Sequence, residues 1–111
     1  MAHRGSELVL KALHGEGVKY VFGNPGTSEI PLFEALLDSP ELENVLCLHE
    51  TVAVSIADGY AHASGRVGVV NQHVAPGLGN AIGSVYGAWR GGRRWSSPPA
   101  RRTPGCACAS R

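Results

Sequence analysis

Glu50 is the only Asp, Glu, Lys or Arg between Glu43 and Asp58. It stands where the apolar stretch 44–50 gives way to an alanine- and valine-rich stretch, 51–64. The first reads as a short buried strand and the second as a helix. A carboxylate at such a junction either caps the helix or, in a dry setting, has its pKa raised for proton work. His49 and His73 add two imidazoles. Two loops complete the set. Asn24-Pro25-Gly26-Thr27 is turn chemistry carrying a hydroxyl. Gly77-Leu78-Gly79-Asn80 has the glycines to cradle an anion at a helix start, without the third glycine, lysine or acidic partner of a nucleotide fingerprint. Taken singly, each has an ordinary reading: a first-turn acid, a core or surface histidine, a turn, a tight helix entry.

The elements around these residues make them converge. Ser6 is the N-cap candidate of a first helix that ends at Gly15 and Gly17, and a β-type run follows at 19–23. Ser28 is placed to cap a second helix with Ile30, Phe33, Leu36 and Leu37 on one face, stopped at Asp38-Ser39-Pro40. A strand at 45–48, a helix at 50–64, a strand at 68–72, a glycine-rich turn at 76–79 and a helix at 80–89 complete the order. Alternating helices and short apolar strands predict an α/β fold, a partial doubly wound parallel sheet of three strands with flanking helices. In such sheets ligands bind outside the carboxyl ends of the strands. The 24–27 turn, the His49-Glu50 junction and the segment from His73 to Asn80 all fall at that edge. Ala53, Ala57 and Ala61 recur every four residues and form a flat face for close packing, internal or between subunits.

Composition bounds the answer. With 111 residues, 43% of them hydrophobic, the chain has room for one small domain with a packed core. No run approaches the roughly 20 apolar residues of a membrane span. No apolar signal core opens the chain, and three cysteines make no disulfide framework, so a cytoplasmic location is expected. The net charge of +1 hides a division. Residues 1–89 carry four Lys/Arg against nine Asp/Glu, and residues 90–111 carry six Arg and no acid.

Four motifs in register carry a family resemblance: 21–29 (Val-Phe-Gly-Asn-Pro-Gly-Thr-Ser-Glu), Leu48-His49-Glu50, 56–61 (Ile-Ala-Asp-Gly-Tyr-Ala) and 77–81 (Gly-Leu-Gly-Asn-Ala). Across about residues 5–89 the chain resembles the N-terminal pyrimidine-binding domain of thiamine-diphosphate-dependent enzymes, the decarboxylase and acetolactate-synthase superfamily. Asn-Pro-Gly followed by a hydroxyl residue, and Asn71-x-His73 before the Gly-x-Gly-Asn-Ala run, are similar to benzoylformate decarboxylase. The resemblance implies a parent enzyme acting on a small 2-oxo acid, with this chain alone inactive. It implies that Glu50 hydrogen-bonds a ring nitrogen of the cofactor's aminopyrimidine and favours the imino tautomer that deprotonates the thiazolium carbon. It places Pro25, Gly26, Gly77 and Asn80 with Glu50 around the cofactor. It assigns proton transfer to His73 and a substrate-carboxylate contact to Thr27, where benzoylformate decarboxylases carry serine. Thiamine diphosphate is the implied cofactor. Magnesium is expected only through a C-terminal domain with a Gly-Asp-Gly motif, which does not occur here. The implied parent is a homo-oligomer, a dimer of active-site halves and often a tetramer.

Residues 90–111 break the pattern. A fourth strand is due after Trp89, but prolines remove ladder donors and arginines cannot be buried unpaired. Back-translation of 93–111 in a shifted frame permits an apolar strand there. We therefore expect a frameshift after about residue 92 and a non-native, disordered tail. Two other readings are a stand-alone α/β subunit or regulatory module of a split thiamine enzyme, and an α/β domain with a basic nucleic-acid-binding arm. The unfinished sheet argues against the first, and the frameshift accounts for the arginines of the second. Cys106-x-Cys108 supplies two thiols without the partners a zinc site needs.

Overall fold

The computed structural model describes residues 4–91. The chain runs through α1 (Gly5–Gly15), β1 (Tyr20–Asn24), a 3₁₀ turn (Thr27–Glu29), α2 (Ile30–Leu37), β2 (Glu43–Leu46), α3 (Glu50–Ser64), β3 (Val69–Gln72) and α4 (Val74–Arg90). The three strands are parallel, in the order β2-β1-β3, as the alternation of elements requires. Phe22 of the central strand pairs with Val45 on one side and Val70 on the other.

Two cores form. On one face Leu10, Val18, Ala35, Leu36 and Leu42 pack under α1 and α2. On the other, Phe22, Cys47, Ala53 and Ala57 pack under α3, with Tyr20, Val45, Tyr60 and Val70 around them. The Tyr60 ring stands nearly perpendicular to Tyr20, centroids 5.4 Å apart. The alanine face of α3 is internal. Ala53 and Ala57 touch the sheet, and a Cβ on Gly68 would come within 2.5 Å of the Ala57 carbonyl oxygen. Only small residues allow helix and strand to approach this closely.

Several boundaries differ from expectation, each for a local reason. α1 begins at Gly5, with Arg4 rather than Ser6 at its N-cap, because the Leu8 amide already donates to the Arg4 carbonyl at 3.3 Å. Ser28 lies inside the 3₁₀ turn and caps nothing; the Gly26 amide donates instead to the Glu29 carboxylate at 2.9 Å. On α2, Ala35 and Leu36 are buried while Ile30 and Leu37 are exposed, so the four-residue apolar face is only half used. β2 is an edge strand shifted two residues toward the N-terminus of the expected one. Alternation turns Val45 and Cys47 to the α3 core and leaves Leu46 and Leu48 exposed.

The largest difference is at α4. The 76–79 segment is no turn but part of the first two turns of a helix that starts at Val74. Pro76 is tolerated because early helical amides have no intrahelical acceptor, so its missing N–H costs nothing. The Gly77 amide donates to the His73 carbonyl at 2.9 Å, so it is not free to cradle an anion. The expected fourth strand, the tail from residue 92 and the Cys106-Cys108 pair lie outside the described residues. No described helix is long and apolar enough to cross a membrane.

Candidate functional site

The carboxyl ends of the strands deliver three segments to one place. β1 ends in Asn24, the residues after β2 lead into α3 at Glu50, and β3 leads through His73 into α4. Glu50 is the buried polar residue of the core, 7% exposed. Asn24 donates its amide to Oε1 at 3.2 Å, and Asn80 donates to Oε2 at 3.1 Å. Thr51 ties the same corner by donating its hydroxyl to the Asn80 carbonyl at 2.7 Å. Gly77 leaves the room: a Cβ there would sit 3.4 Å from the Glu50 Cγ.

Glu50 is not the helix cap. That role belongs to His49, whose Nδ1 accepts the Thr51 amide at 3.2 Å. The direction of the Glu50 pKa is also opposite to expectation. Its own backbone amide and the Asn80 side chain hold it below the ordinary carboxylate value of 4.5, with Asn24 and the charge of His49 adding to this, while burial opposes them. Amide donors aimed at a carboxylate favour the ionised form. The site therefore presents a carboxylate, an acceptor, rather than a carboxylic acid.

A second polar cluster lies on the 24–29 loop. His73 directs Nδ1 at the Glu29 carboxylate, 2.8 Å from Oε2 and 3.1 Å from Oε1. The His73 ring lies against the Gly26 backbone, and a Cβ on Gly26 would collide with it. Burial alone would raise the Glu29 pKa. The hydrogen bond from His73, the Gly26 amide and the His73 charge outweigh it and hold the carboxyl below its ordinary value. Pro25 and Thr27 lie exposed on the same loop. Pro25 and Gly26 also border a groove of about 610 Å³ between α2 and β2, lined mainly by Ile30, Phe33, Leu36, Leu37 and Leu42.

The structure thus joins Glu50, Gly77 and Asn80 in one cluster and Gly26 and His73 in a neighbouring one. It gives roles to two residues that the sequence placed only inside motifs, Asn24 in the 24–27 turn and Glu29 at the end of the 21–29 run. Asn24 ends a strand, and Glu29 sits three residues beyond Gly26, the spacing at which a side chain reaches back to a helix-start amide. That spacing, on the last residue of the 21–29 motif, is the signal by which its role could have been found.

Residues 3–94 match the family described as the thiamine pyrophosphate enzyme, N-terminal TPP binding domain. The chain belongs to this family. The acetolactate synthase large subunit of Haemophilus influenzae is 41% identical over 85 residues, covering 77% of this chain and 15% of that protein. Benzoylformate decarboxylase of Pseudomonas aeruginosa is 47% identical over 78 residues, 69% of this chain and 14% of that protein. Among solved structures, a Rhodococcus jostii thiamine diphosphate-dependent 4-hydroxybenzoylformate decarboxylase superposes with a TM-score of 0.66 at 42% identity, over 71% of this chain and 15% of its own. A Mycobacterium smegmatis protein assigned as a thiamin diphosphate-dependent enzyme reaches 0.74 at 34% identity, over 83% and 18%. The resemblance to benzoylformate decarboxylase is therefore not specific, because acetolactate synthases match this N-terminal thiamine-enzyme domain at similar identity. The chain spans 14–15% of the length of these curated relatives.

Two predictions follow from the site of this thiamine-enzyme domain. Gly26→Ala is expected to drive the His73 ring off the loop and to cost about 1–3 kcal/mol, the range for overpacking. Urea unfolding and the loss of the His73–Glu29 pairing in side-chain nitrogen spectra measure it, and an unshifted midpoint counts against the fit. The second concerns pH. Glu29 and Glu50 both have folded pKa values below 4.5. Their contribution is complete above the unfolded value and is lost as pH falls through the folded values. The urea midpoint should fall between about pH 5 and about pH 2, and fall less steeply in Glu50→Gln. Parallel slopes would show that Glu50 is not held in its ionised form.

Proposed function

We propose that this chain is the part of a thiamine-diphosphate-dependent 2-oxo acid decarboxylase or carboligase, benzoylformate decarboxylase-like, that receives the aminopyrimidine of the cofactor. One observation carries the reading: a nearly buried carboxylate, oriented by two amides from two other segments, at the carboxyl edge of the parallel sheet. The residues fit the group. An ionised carboxylate has about four acceptor positions. Asn24 and Asn80 each take one. Acceptor positions remain for a ring N–H.

In this reading Glu50 would accept a hydrogen bond from a ring N–H of the cofactor as an ionised carboxylate. Asn24 and Asn80 keep its oxygens from rotating, and Gly77 keeps the floor beneath it free of side chain. Pro25 and Gly26 shape the adjoining loop. His73 moves a proton to and from the reacting substrate, and Thr27 offers a hydroxyl to the substrate carboxylate. When bound, thiamine diphosphate would supply a thiazolium ring that takes up the electron pair left when carbon dioxide departs. Its diphosphate and magnesium are assigned to a C-terminal domain outside this chain.

The partner reading is a homo-oligomer acting in the cytoplasm. Leu78, Ile82, Tyr86 and Trp89 are all more than half exposed along one side of α4, with Val52 and Ile56 exposed on α3. Residues at this spacing share a helical face that another domain or subunit would cover. The tail is assigned to a frameshift, which sequencing the gene through and past codon 92 tests directly. An intact frame with no homologous continuation after the stop overturns that part. The functional reading is tested by grafting residues 5–89 into full-length benzoylformate decarboxylase and acetolactate synthase. Decarboxylation of benzoylformate by the first graft supports it. A graft that folds and binds cofactor but turns over neither benzoylformate nor pyruvate overturns it.

A further inference from the structure

The His73 ring is held on two sides and followed by a strained residue, and the geometry determines which of its nitrogens is left to react. On the first side is Glu29. Both carboxylate oxygens lie within hydrogen-bond reach of Nδ1, at 2.8 and 3.1 Å. An ionised carboxylate accepts and cannot donate, so the hydrogen belongs to Nδ1. Glu29 does not adapt to the imidazole. Its Oε2 is already anchored by the Gly26 amide at 2.9 Å, and its side chain is only 11% exposed. On the second side is the Gly26 backbone, against which the ring lies.

The strained residue is Val74. It is the only described residue other than glycine with a positive φ, at 44°. A β-branched residue adopts that conformation only when its surroundings impose it. Two contacts fix His73, the residue just before the kink: the Gly77 amide holds its carbonyl and Glu29 holds its ring. The chain turns sharply at Val74 with the imidazole already fixed.

We propose that Glu29 is the positioning residue for His73: it holds the neutral ring in the Nδ1–H form and so makes Nε2 the proton-exchanging nitrogen. This rests on the reading of His73 as the proton-transfer group. Among the described residues Nε2 has no hydrogen-bond partner, as an exchanging nitrogen requires. In a neutral imidazole one nitrogen donates and the other accepts, and whatever binds the first sets the role of the second. Without Glu29 the ring could present either nitrogen, and part of the protein would carry the wrong tautomer. The low pKa of Glu29 agrees with an ionised partner.

Side-chain nitrogen spectra of the ¹⁵N-histidine-labelled chain test this without cofactor, read on the alkaline side of the ring's own titration as followed in the same spectra. His73 is assigned by its loss in His73→Gln. The expected wild-type result is a protonated Nδ1 and an unprotonated Nε2. In Glu29→Leu the ratio of the Nδ1–H to the Nε2–H form should fall by roughly tenfold or more, the weight of one charge-assisted hydrogen bond. The His14, His49 and His62 signals should stay in place, which shows that the fold is kept. If Glu29→Leu does not fold, the wild-type spectrum decides. A wild-type His73 in the Nε2–H form, or with the tautomer mixture of an unfolded peptide, overturns the proposal, as does an unchanged ratio in folded Glu29→Leu. The outcome is separable from the functional reading. A fixed Nδ1–H form in a chain whose grafts are inactive leaves Glu29's role standing and removes only the catalytic one.

Discussion

Grafted into a full-length relative, residues 5–89 carrying Glu50→Gln should lose about 10²–10³-fold in turnover, the range for removing one preorganised electrostatic contact. Glutamine keeps the length and one acceptor oxygen, and it can still take an amide from Asn24 or Asn80. It removes the negative charge that the two asparagines and the helix start are arranged to stabilise. Structure and cofactor affinity should therefore change much less than the rate. A graft that retains more than about a tenth of its turnover would show that Glu50 only supports the fold. Asn80→Ala is the companion variant. It leaves the carboxylate charged but frees one oxygen, so its loss in rate should be smaller than that of Glu50→Gln.

Phe22→Ala should cost about 3–5 kcal/mol, the range for a buried aromatic. That is a large share of the roughly 5–15 kcal/mol that holds a domain folded. Phe22 is 4% exposed on the central strand, and its ring centroid lies 5.7 Å from that of Tyr60 and 6.1 Å from that of Tyr20. Removing it opens a cavity among Cys47, Ala53 and Ala57, which are too small to collapse into the space. Leu10→Ala removes the corresponding anchor of the opposite face and should cost about 2–5 kcal/mol. Urea midpoints with unchanged slopes measure both. A Phe22→Ala loss below about 1 kcal/mol would mean that β1 is not the centre of the core. The consequence for function is direct, because Asn24 sits two residues beyond Phe22 and aims at Glu50 from the end of the same strand.

What was legible in the sequence was what short-range pattern controls. The alternation of apolar runs with helical periodicity required parallel strands covered on both faces. It put Glu50 at the junction where a strand edge meets a helix. The alanines of α3 announced a close packing surface, and the structure shows that surface facing the sheet. Errors arose where a local signal competes with a neighbour in space. Glycines at 77 and 79 weaken a helix by propensity, yet packing of Gly77 against Glu50 and Gln72 carries the helix through them. Leu46 and Leu48 read as core, but β2 is an edge strand and only its Val45-Cys47 side meets another layer.

The chemistry of the site was settled by the tertiary structure. Sequence alone determined that a carboxylate and two histidines stand at the carboxyl edge of a parallel sheet. It did not determine whether that carboxylate is neutral or ionised, because its amide donors lie 26 and 30 residues away. Nor did it determine the partner of His73, 44 residues distant. No periodicity links such positions. A pKa is set by the few atoms within hydrogen-bond reach, and only the folded chain decides which atoms those are.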